Sequence, residues 1–181
     1  RTLDRCGLLK KRNPWKRYHP PHPRPLVEKP GDLVQLDTIH LMKNETERIY
    51  VFTLLDVYSR WAYAWACERI SARAALRFLA SARIRAPFSF CHLQSDHGPE
   101  FSTHFTERAG TVHRHSRVRR PNDNAHLERF NRTLQEECLD GIPRTAVALN
   151  RALQDYLPYY NTKRLHFGLN LKTPAEVIPS Y

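Results

Sequence analysis

Three acidic side chains stand where a carboxylate could do chemistry, and the first of them is Asp37. It lies in the middle of an apolar stretch, Leu33 to Leu41, whose composition predicts a strand. An acid is disfavoured in a central strand and costs free energy if it is buried without a partner. A divalent cation would compensate for that cost, as would backbone groups or an arginine.

The second acid, Glu128, falls in a segment with helical periodicity. Leu127, Phe130, Leu134 and Cys138 recur at helical spacing and predict a stripe that faces the core. Glu128 lies roughly 100° round the helix from Leu127, at the edge of that stripe. A carboxylate there can point into a cleft while the helix stays anchored, although a charged helix face in solvent gives the same pattern.

The third acid, Asp96, follows a strand predicted over 88–95, in a turn sequence where Asp and Gly are ordinary residues. Together the three acids suit Mg²⁺ or Mn²⁺, and two such ions about 3.5–4 Å apart can promote in-line phosphoryl displacement. Asp37 is the best candidate to bridge two ions, because a central strand is rigid. Asp96 would complete the coordination shell of one ion and Glu128 that of the other. Three rival acids rank lower because they stand in turns or at a helix start: Asp56, Glu100 and Asp123.

The elements that must position these acids begin with three strands, predicted over 33–41, 49–55 and 61–67. The turns between them are short, which indicates an antiparallel meander. Ser71 is a plausible cap for a helix that runs to about Ala86. The strand over 88–95, a short helix near 100–109 and a strand over 111–118 are predicted next.

Two helices and a short turn complete the chain. After the helix that carries Glu128, Thr145 caps a long helix to about Tyr160, and Pro158 should kink or end it. Thr173-Pro174 begins a final short turn. The order of elements predicts an α/β fold with a five-stranded mixed sheet and helices on both faces. In such open sheets ligands bind beyond the carboxyl ends of strands, where Asp96 is expected.

The charge of the chain favours a polyanionic partner. The 181 residues include 29 Lys and Arg against 18 Asp and Glu, a net charge of +11. Such an excess is typical of proteins that bind nucleic acid, although a merely basic protein is the alternative. Residues 1–30 are especially basic and rich in proline, and predict an extended linker that can follow a phosphate backbone. Residues 31–181 are expected to form the folded core with a C-terminal helical tail.

Several classes of protein are disfavoured. No run of about 18 apolar residues predicts a membrane span, and no secretory signal is visible. The four cysteines are scattered, which favours a reduced, intracellular protein without a zinc site. Candidate phosphate contacts, each equally consistent with a solvated charge, are Arg119, Arg120, Arg129, Arg132, Lys163, Arg164 and His166.

Three blocks of sequence, in this order, carry a resemblance to a known family. They are SDHGPEF at 95–101, NDNAHLERFNRTL at 122–134 and YYNTKRLHFGLNLKTPAEV at 159–177. With Asp37 upstream, they resemble the DDE transposases of bacterial insertion sequences, whose catalytic core is similar to that of retroviral integrases. The resemblance covers about residues 31–177. It implies the ribonuclease-H-like fold.

The resemblance also implies an activity, cofactors and partners. The activity is cleavage at transposon DNA ends and joining of the 3′-hydroxyl to target DNA. The implied catalytic and metal-binding residues are Asp37, Asp96 and Glu128, with two Mg²⁺ or Mn²⁺ ions. DNA is the implied partner, as transposon ends and as target, and a homodimer or higher multimer is implied. The implied location is the bacterial cytoplasm, at the nucleoid.

The chain departs from the family pattern at three points. Asp96 and Glu128 are 32 positions apart, a slightly shorter gap than is usual in the family. His97 stands where Asn is common, and Leu165 stands where Pro is common before the His that matches His166. A ribonuclease H or exonuclease on the same fold is an alternative, but it needs a fourth acid for which no motif is found. The other alternative is a DNA-binding remnant without catalysis.

Overall fold

The protein is described by a computed structural model, which covers residues 24–116 and 124–178. Strands β1 (Val34–Met42), β2 (Arg48–Asp56) and β3 (Ala62–Cys67) form the antiparallel meander that the sequence predicts. Asp37 lies in β1, opposite Thr53 of β2. The first acid therefore stands near the centre of the sheet.

Two parallel strands extend the sheet beyond β1. Helix α1 (Ala72–Arg85) returns the chain from β3 to β4 (His92–Ser95). A 3₁₀ turn (Pro99–Phe101) and helix α2 (Thr103–Arg108) lead to β5 (Val112–His115). The sheet order is β3-β2-β1-β4-β5, and both β4 and β5 run parallel to their neighbours.

Strand β4 is shorter than predicted, because the strand was expected over 88–95 and only the last four residues form it. Phe88 and Phe90 belong instead to the apolar cluster under the sheet, where the Phe88 ring meets the Trp61 ring edge-on at 5.7 Å. Apolar residues that pack outside a ladder look the same in sequence as residues within one.

Three helices complete the described chain. Helix α3 (Ala125–Leu134) continues into a π-helical turn (Gln135–Leu139), and helices α4 (Ala146–Thr162) and α5 (Pro174–Val177) follow. The predicted caps are confirmed, since the Ser71 hydroxyl accepts from Ala74 N and the Thr145 hydroxyl accepts from Ala148 N. Of the two effects predicted for Pro158, ending the helix is wrong, because α4 continues through Pro158 to Thr162, and a kink stays a prediction.

Helices cover both faces of the sheet, as predicted. On one face the stripe of α3 packs with α4 against the strands, and Leu127, Phe130 and Leu134 are all buried there. On the other face α1 and α2 pack around Phe52 and Phe78, whose rings stack at 5.4 Å. The sheet is thus a rigid support, buried on both sides.

The edge of the sheet at β3 is closed by side chains of α4. Asn161 accepts from Ala62 N and donates to Ala62 O, both at 2.9 Å. Asn150 does the same for Ala66, at 2.8 and 2.9 Å. Pairing an exposed edge in this way removes donors and acceptors that would otherwise recruit another strand. In the part of the chain that the structure describes, no helix is long and apolar enough to cross a membrane.

Candidate active site

Asp37 lies in β1, which is the central strand of the sheet. Its Oδ1 accepts from the backbone N–H of Thr38 and its Oδ2 accepts from Nδ2 of Asn131, both at 2.8 Å. The side chain is partly buried, with β2 and β4 on either side of its strand. Two hydrogen bonds therefore hold the carboxylate in one orientation.

Asn131 ties helix α3 to that carboxylate. It is 8% exposed, and its Oδ1 has no hydrogen-bond partner. Glu128 stands three residues earlier on α3, and residues at that spacing are neighbours on one side of a helix. Glu128 itself is exposed. The contact between Asn131 and Asp37 thus brings the helix that carries the third acid alongside the strand that carries the first.

The strand register brings Asp96 level with Asp37. Leu36 of β1 pairs with Ser95 of β4, and the two acids directly follow these partners on parallel strands. Asp96 is exposed, and its Oδ1 accepts from the backbone N–H of Gly98 at 2.9 Å. The turn after β4 therefore holds Asp96 at the carboxyl end of the sheet, as the sequence predicts.

A further acid, Glu100, enters the same space from the 3₁₀ turn. It is 4% exposed, and its Oε2 has no hydrogen-bond partner. A Cβ atom at Gly98 would lie 2.6 Å from this Oε2 and 3.0 Å from Oδ1 of Asp96. The two carboxylates therefore flank Gly98, where there is no room for a side chain.

The surroundings of Asp37 disfavour its charge. The pKa of Asp37 is raised to about 6, mainly by burial and also by the charges of Asp96 and Glu100, while the two hydrogen bonds act in the opposite direction. Carboxylate oxygens that repel one another in a partly buried space are the donor set that a hard divalent cation prefers. The residues present fit such an ion.

The arrangement is not a closed metal cage. Within residues 24–116 and 124–178, no group of three or more His, Cys, Asp or Glu side chains is assembled as a metal site. Of the rival acids, Asp56 is buried and accepts from the N–H of Gly31 and from both the N–H and hydroxyl of Ser59. Asp56 is therefore a structural residue, whereas Asp123 lies outside the described residues.

Three histidines line the end of β4 and β5 beside Asp96. The rings of His97 and His115 stack at 4.8 Å, and Nδ1 of His115 lies 2.7 Å from the backbone oxygen of Asp96. His113 lies deeper, with its Nε2 2.9 Å from the hydroxyl of Ser95. Burial, together with the charge of His115, lowers the pKa of His113 to about 4. His113 is therefore neutral at physiological pH.

The predicted phosphate contacts fall into three groups: exposed residues, residues outside the described ranges, and residues that already have protein partners. Arg129 and Arg132 are exposed on α3, and Lys163 is exposed just after α4. Arg119 and Arg120 lie outside the described residues.

Arg164 and His166 already have protein partners. The Arg164 guanidinium forms a two-pronged ion pair with Glu137, with distances of 2.9 Å from Nε to Oε2 and 2.5 Å from Nη2 to Oε1. The ring of His166 meets that of Tyr160 edge-on at 4.7 Å. Both contacts fasten the segment after α4 to the body of the protein.

Sequence reasoning missed Asn131, and it named Glu100 only as a lower-ranked rival acid. Asn131 could have been found as the polar residue that falls inside the apolar stripe of α3. Glu100 gave no local signal, because only the folded turn at Gly98 brings it to Asp96.

Two comparisons of sequence describe what the chain is similar to. One model of the integrase core domain family matches residues 27–121, just over half of the chain, and a second model of the same description matches residues 109–174. The transposase of insertion sequence element IS904 from Lactococcus lactis is 28% identical over 71% of this chain and 54% of its own length. The chain spans about half the length of the curated relatives that it matches.

Solved structures agree on the fold. The integrase catalytic core of HTLV-2, solved in complex with magnesium, superposes with a TM-score of 0.62 at 16% identity, over 83% of this chain and 98% of that one. A chain of the simian T-cell lymphotropic virus intasome superposes with a TM-score of 0.65 at 18% identity, over 100% of this chain and 70% of that one. The predicted ribonuclease-H-like sheet is thus confirmed, and the chain belongs to the integrase core domain family.

Proposed function

We propose that this chain is the catalytic core of a transposase or integrase, which cleaves transposon DNA ends and joins their 3′-hydroxyl groups to target DNA. The observation that supports the proposal is the strand register, which sets Asp37 and Asp96 level on neighbouring parallel strands, together with the hydrogen bond by which Asn131 of the helix that carries Glu128 contacts Asp37. The IS904 relative is named a transposase, which supports the same activity. Such a protein would act at the nucleoid in the bacterial cytoplasm.

The cofactors in this proposal are two Mg²⁺ or Mn²⁺ ions held by Asp37, Asp96 and Glu128. When bound, such ions activate the attacking oxygen and stabilise the leaving oxygen of a phosphoryl displacement. The protein's part is to orient the ligands: Thr38 N–H and Asn131 fix Asp37, and Gly98 N–H fixes Asp96. Magnesium in the HTLV-2 core supports this choice of ion.

DNA binding in this proposal rests on the net charge of +11. Arg129, Arg132 and Lys163 are exposed and would contact phosphates, a role that positions DNA without reading its sequence. Arg119, Arg120, Arg164 and His166 stay predictions. Integrase cores of HTLV-2 are described in dimeric and trimeric forms, which supports the proposal of a homodimer or higher multimer.

The experiment that tests this function is a strand-joining assay with Mn²⁺ and oligonucleotides that carry a free 3′-hydroxyl. Asp37→Asn, Asp96→Asn and Glu128→Gln should each abolish joining while DNA affinity is preserved. Glu107→Gln is the matched control, because Glu107 is an exposed acid on α2 that pairs only with exposed Arg108 among the described residues. Full activity in one of the three variants would remove that residue from the site.

A ribonuclease-H-like nuclease is the second candidate, favoured by one observation. Such enzymes commonly have a fourth acid, and Glu100 places one beside Asp96, although a fourth acid is also compatible with strand transfer. The same assay separates the two functions. A strand transferase forms joined products, whereas a nuclease yields only hydrolysed ones. A remnant that binds DNA without catalysis would show no Mn²⁺ binding that depends on Asp37 and Asp96.

A further inference from the structure

Among residues 24–116 and 124–178, the carboxylate of Glu100 is the buried acidic group that the proposed set of ligands does not use and whose Oε2 has no donor. It lies on the turn between β4 and α2, and only 4% of the residue is exposed. Its Oε2 is buried and has no hydrogen-bond partner. A charge-bearing oxygen in that condition costs free energy unless something binds it.

The other glutamates with structural roles are all satisfied. Glu137 is bonded by Arg164 and Tyr156, and Glu176 completes the cap of α5 through the N–H of Thr173. Glu47 accepts from Asn44 and pairs with Lys43. Glu100 thus differs from these three, since it is more buried and has an oxygen without a donor.

The oxygen of Glu100 that has no donor lies beside the carboxylate of Asp96. Oε2 of Glu100 and Oδ1 of Asp96 lie on the same side of Gly98, each within 3.0 Å of one point. Two carboxylates that lie side by side, one of them with a buried oxygen that has no donor, favour the binding of a divalent cation.

We infer that Glu100 is a fourth carboxylate of the cation site and binds the divalent ion held by Asp37 and Asp96 through its Oε2. This assignment rests on the proposed function, because it concerns the same ion. Gly98 suits this arrangement, because a Cβ atom there would lie 2.6 Å from Oε2 of Glu100 and 3.0 Å from Oδ1 of Asp96 and would displace the glutamate. A further anionic ligand raises the affinity of the site for a divalent ion and neutralises more of its charge.

The test is a calorimetric titration of the full chain with Mn²⁺, without DNA. Glu100→Gln keeps the shape of the side chain and removes its charge. We expect it to weaken Mn²⁺ binding by about tenfold or more, the scale on which supporting residues affect metal sites. Glu107→Gln makes the same substitution at an exposed glutamate of α2, and this variant should bind Mn²⁺ as the unsubstituted chain does.

Thermal unfolding gives a second reading that is independent of activity. Without metal, Glu100→Gln should unfold at the same or a higher temperature, because a buried charge is removed. Addition of Mn²⁺ should then raise its Tm less than it raises that of the unsubstituted chain, in keeping with the weaker binding. Equal rises in Tm would overturn the assignment.

The two proposals can fail separately. If Glu100→Gln binds Mn²⁺ normally while Asp37→Asn does not, the Glu100 assignment is wrong and the cation site stands. If Asp37→Asn also binds normally, both are wrong. Should Glu100→Gln fail to fold, Glu100→Asp takes its place, because it withdraws the carboxylate by one methylene. Unchanged affinity in that variant overturns the assignment.

Discussion

Two aspartates of the same sheet, one buried and one partly buried, differ in the groups that surround their carboxylates. Asp56, at the end of β2, accepts three hydrogen bonds, at 2.7 to 2.8 Å, from Gly31 and Ser59. Asp37, in β1, accepts two. Burial raises the pKa of both, but the nearby charge of Arg60 lowers that of Asp56, whereas the acids near Asp37 raise its pKa further.

Asp56 is an acid whose hydrogen bonds stabilise the fold, whereas Asp37 is an acid whose charge lowers the stability of the fold. The donors around Asp56 come from two turns and join them, so its carboxylate contributes to stability. The neighbours of Asp37 include Asp96 and Glu100, which oppose its charge. A fold keeps such a cluster at a cost in stability, and the cost makes sense if the cluster binds a cation.

The largest effect should come from removing the charge of Asp56. Asp56→Asn places an amide nitrogen opposite N–H donors, so at least one buried donor loses its acceptor. We expect the free energy of unfolding to fall by about 3 kcal/mol. Urea denaturation measures this change, with Asp32→Asn as a more exposed control. An unchanged urea midpoint would mean that Asp56 contributes no more to stability than Asp37 does.

For Asp37→Asn, the free energy of unfolding is expected to change in the opposite direction. In the presence of a chelator at pH 8, Asp37→Asn removes a charge that burial and two acids disfavour, and the free energy of unfolding should rise by about 2 kcal/mol. The same denaturation experiment measures it. If Asp37→Asn lowered the free energy of unfolding as much as Asp56→Asn does, the two aspartates would have the same role in stability.

The dependence of stability on pH should sharpen the contrast. Because the pKa of Asp37 is raised from 3.8 to about 6, the folded state holds this proton over that range while the unfolded state has released it. The contribution of Asp37 to stability is therefore favourable at low pH and is lost as pH rises through 3.8 to 6. The slope is at most about 1.4 kcal/mol per pH unit. The stability difference between Asp37→Asn and the unsubstituted chain, measured without metal, should follow this curve and be flat above pH 7.

The smallest effect is expected at Asn131, which supports Asp37 through a single hydrogen bond. Asn131→Ala should raise the pKa of Asp37, because the amide no longer stabilises the charged form. It should reduce the free energy of unfolding by only about 1 kcal/mol. Carbon-detected NMR titration of the carboxyl group reports the pKa directly. A lowered pKa would show that Asn131 does not hold the carboxylate as described.

Local sequence patterns predicted most of the framework. Alternation and apolar runs located all five strands, and the stripe at Leu127, Phe130 and Leu134 predicted the buried side of α3. These patterns succeed because they depend on neighbours within a few positions. Asp37 and Asp96 could therefore be assigned to a strand and a strand end before the pairing of their strands was known.

What the sequence did not predict depends on contacts between distant residues. The partner of Arg164 is Glu137, 27 positions away, and no local pattern distinguishes this bonded arginine from exposed Arg129. Glu100 was ranked below the other acids because it stands near a turn, and its burial depends on how that turn folds. Pro158 was expected to interrupt α4, but it lies on an exposed side of the helix, where the carbonyl that it leaves unbonded can reach solvent.

The most direct test of the account is a crystal structure of the chain soaked in Mn²⁺, examined for anomalous scattering. If the proposed cation site is right, Mn²⁺ will be bound between Asp37 and Asp96, with oxygen ligands only and with Glu128 turned toward the ion. Anomalous density confined to other surfaces, with these carboxylates unchanged, would contradict it.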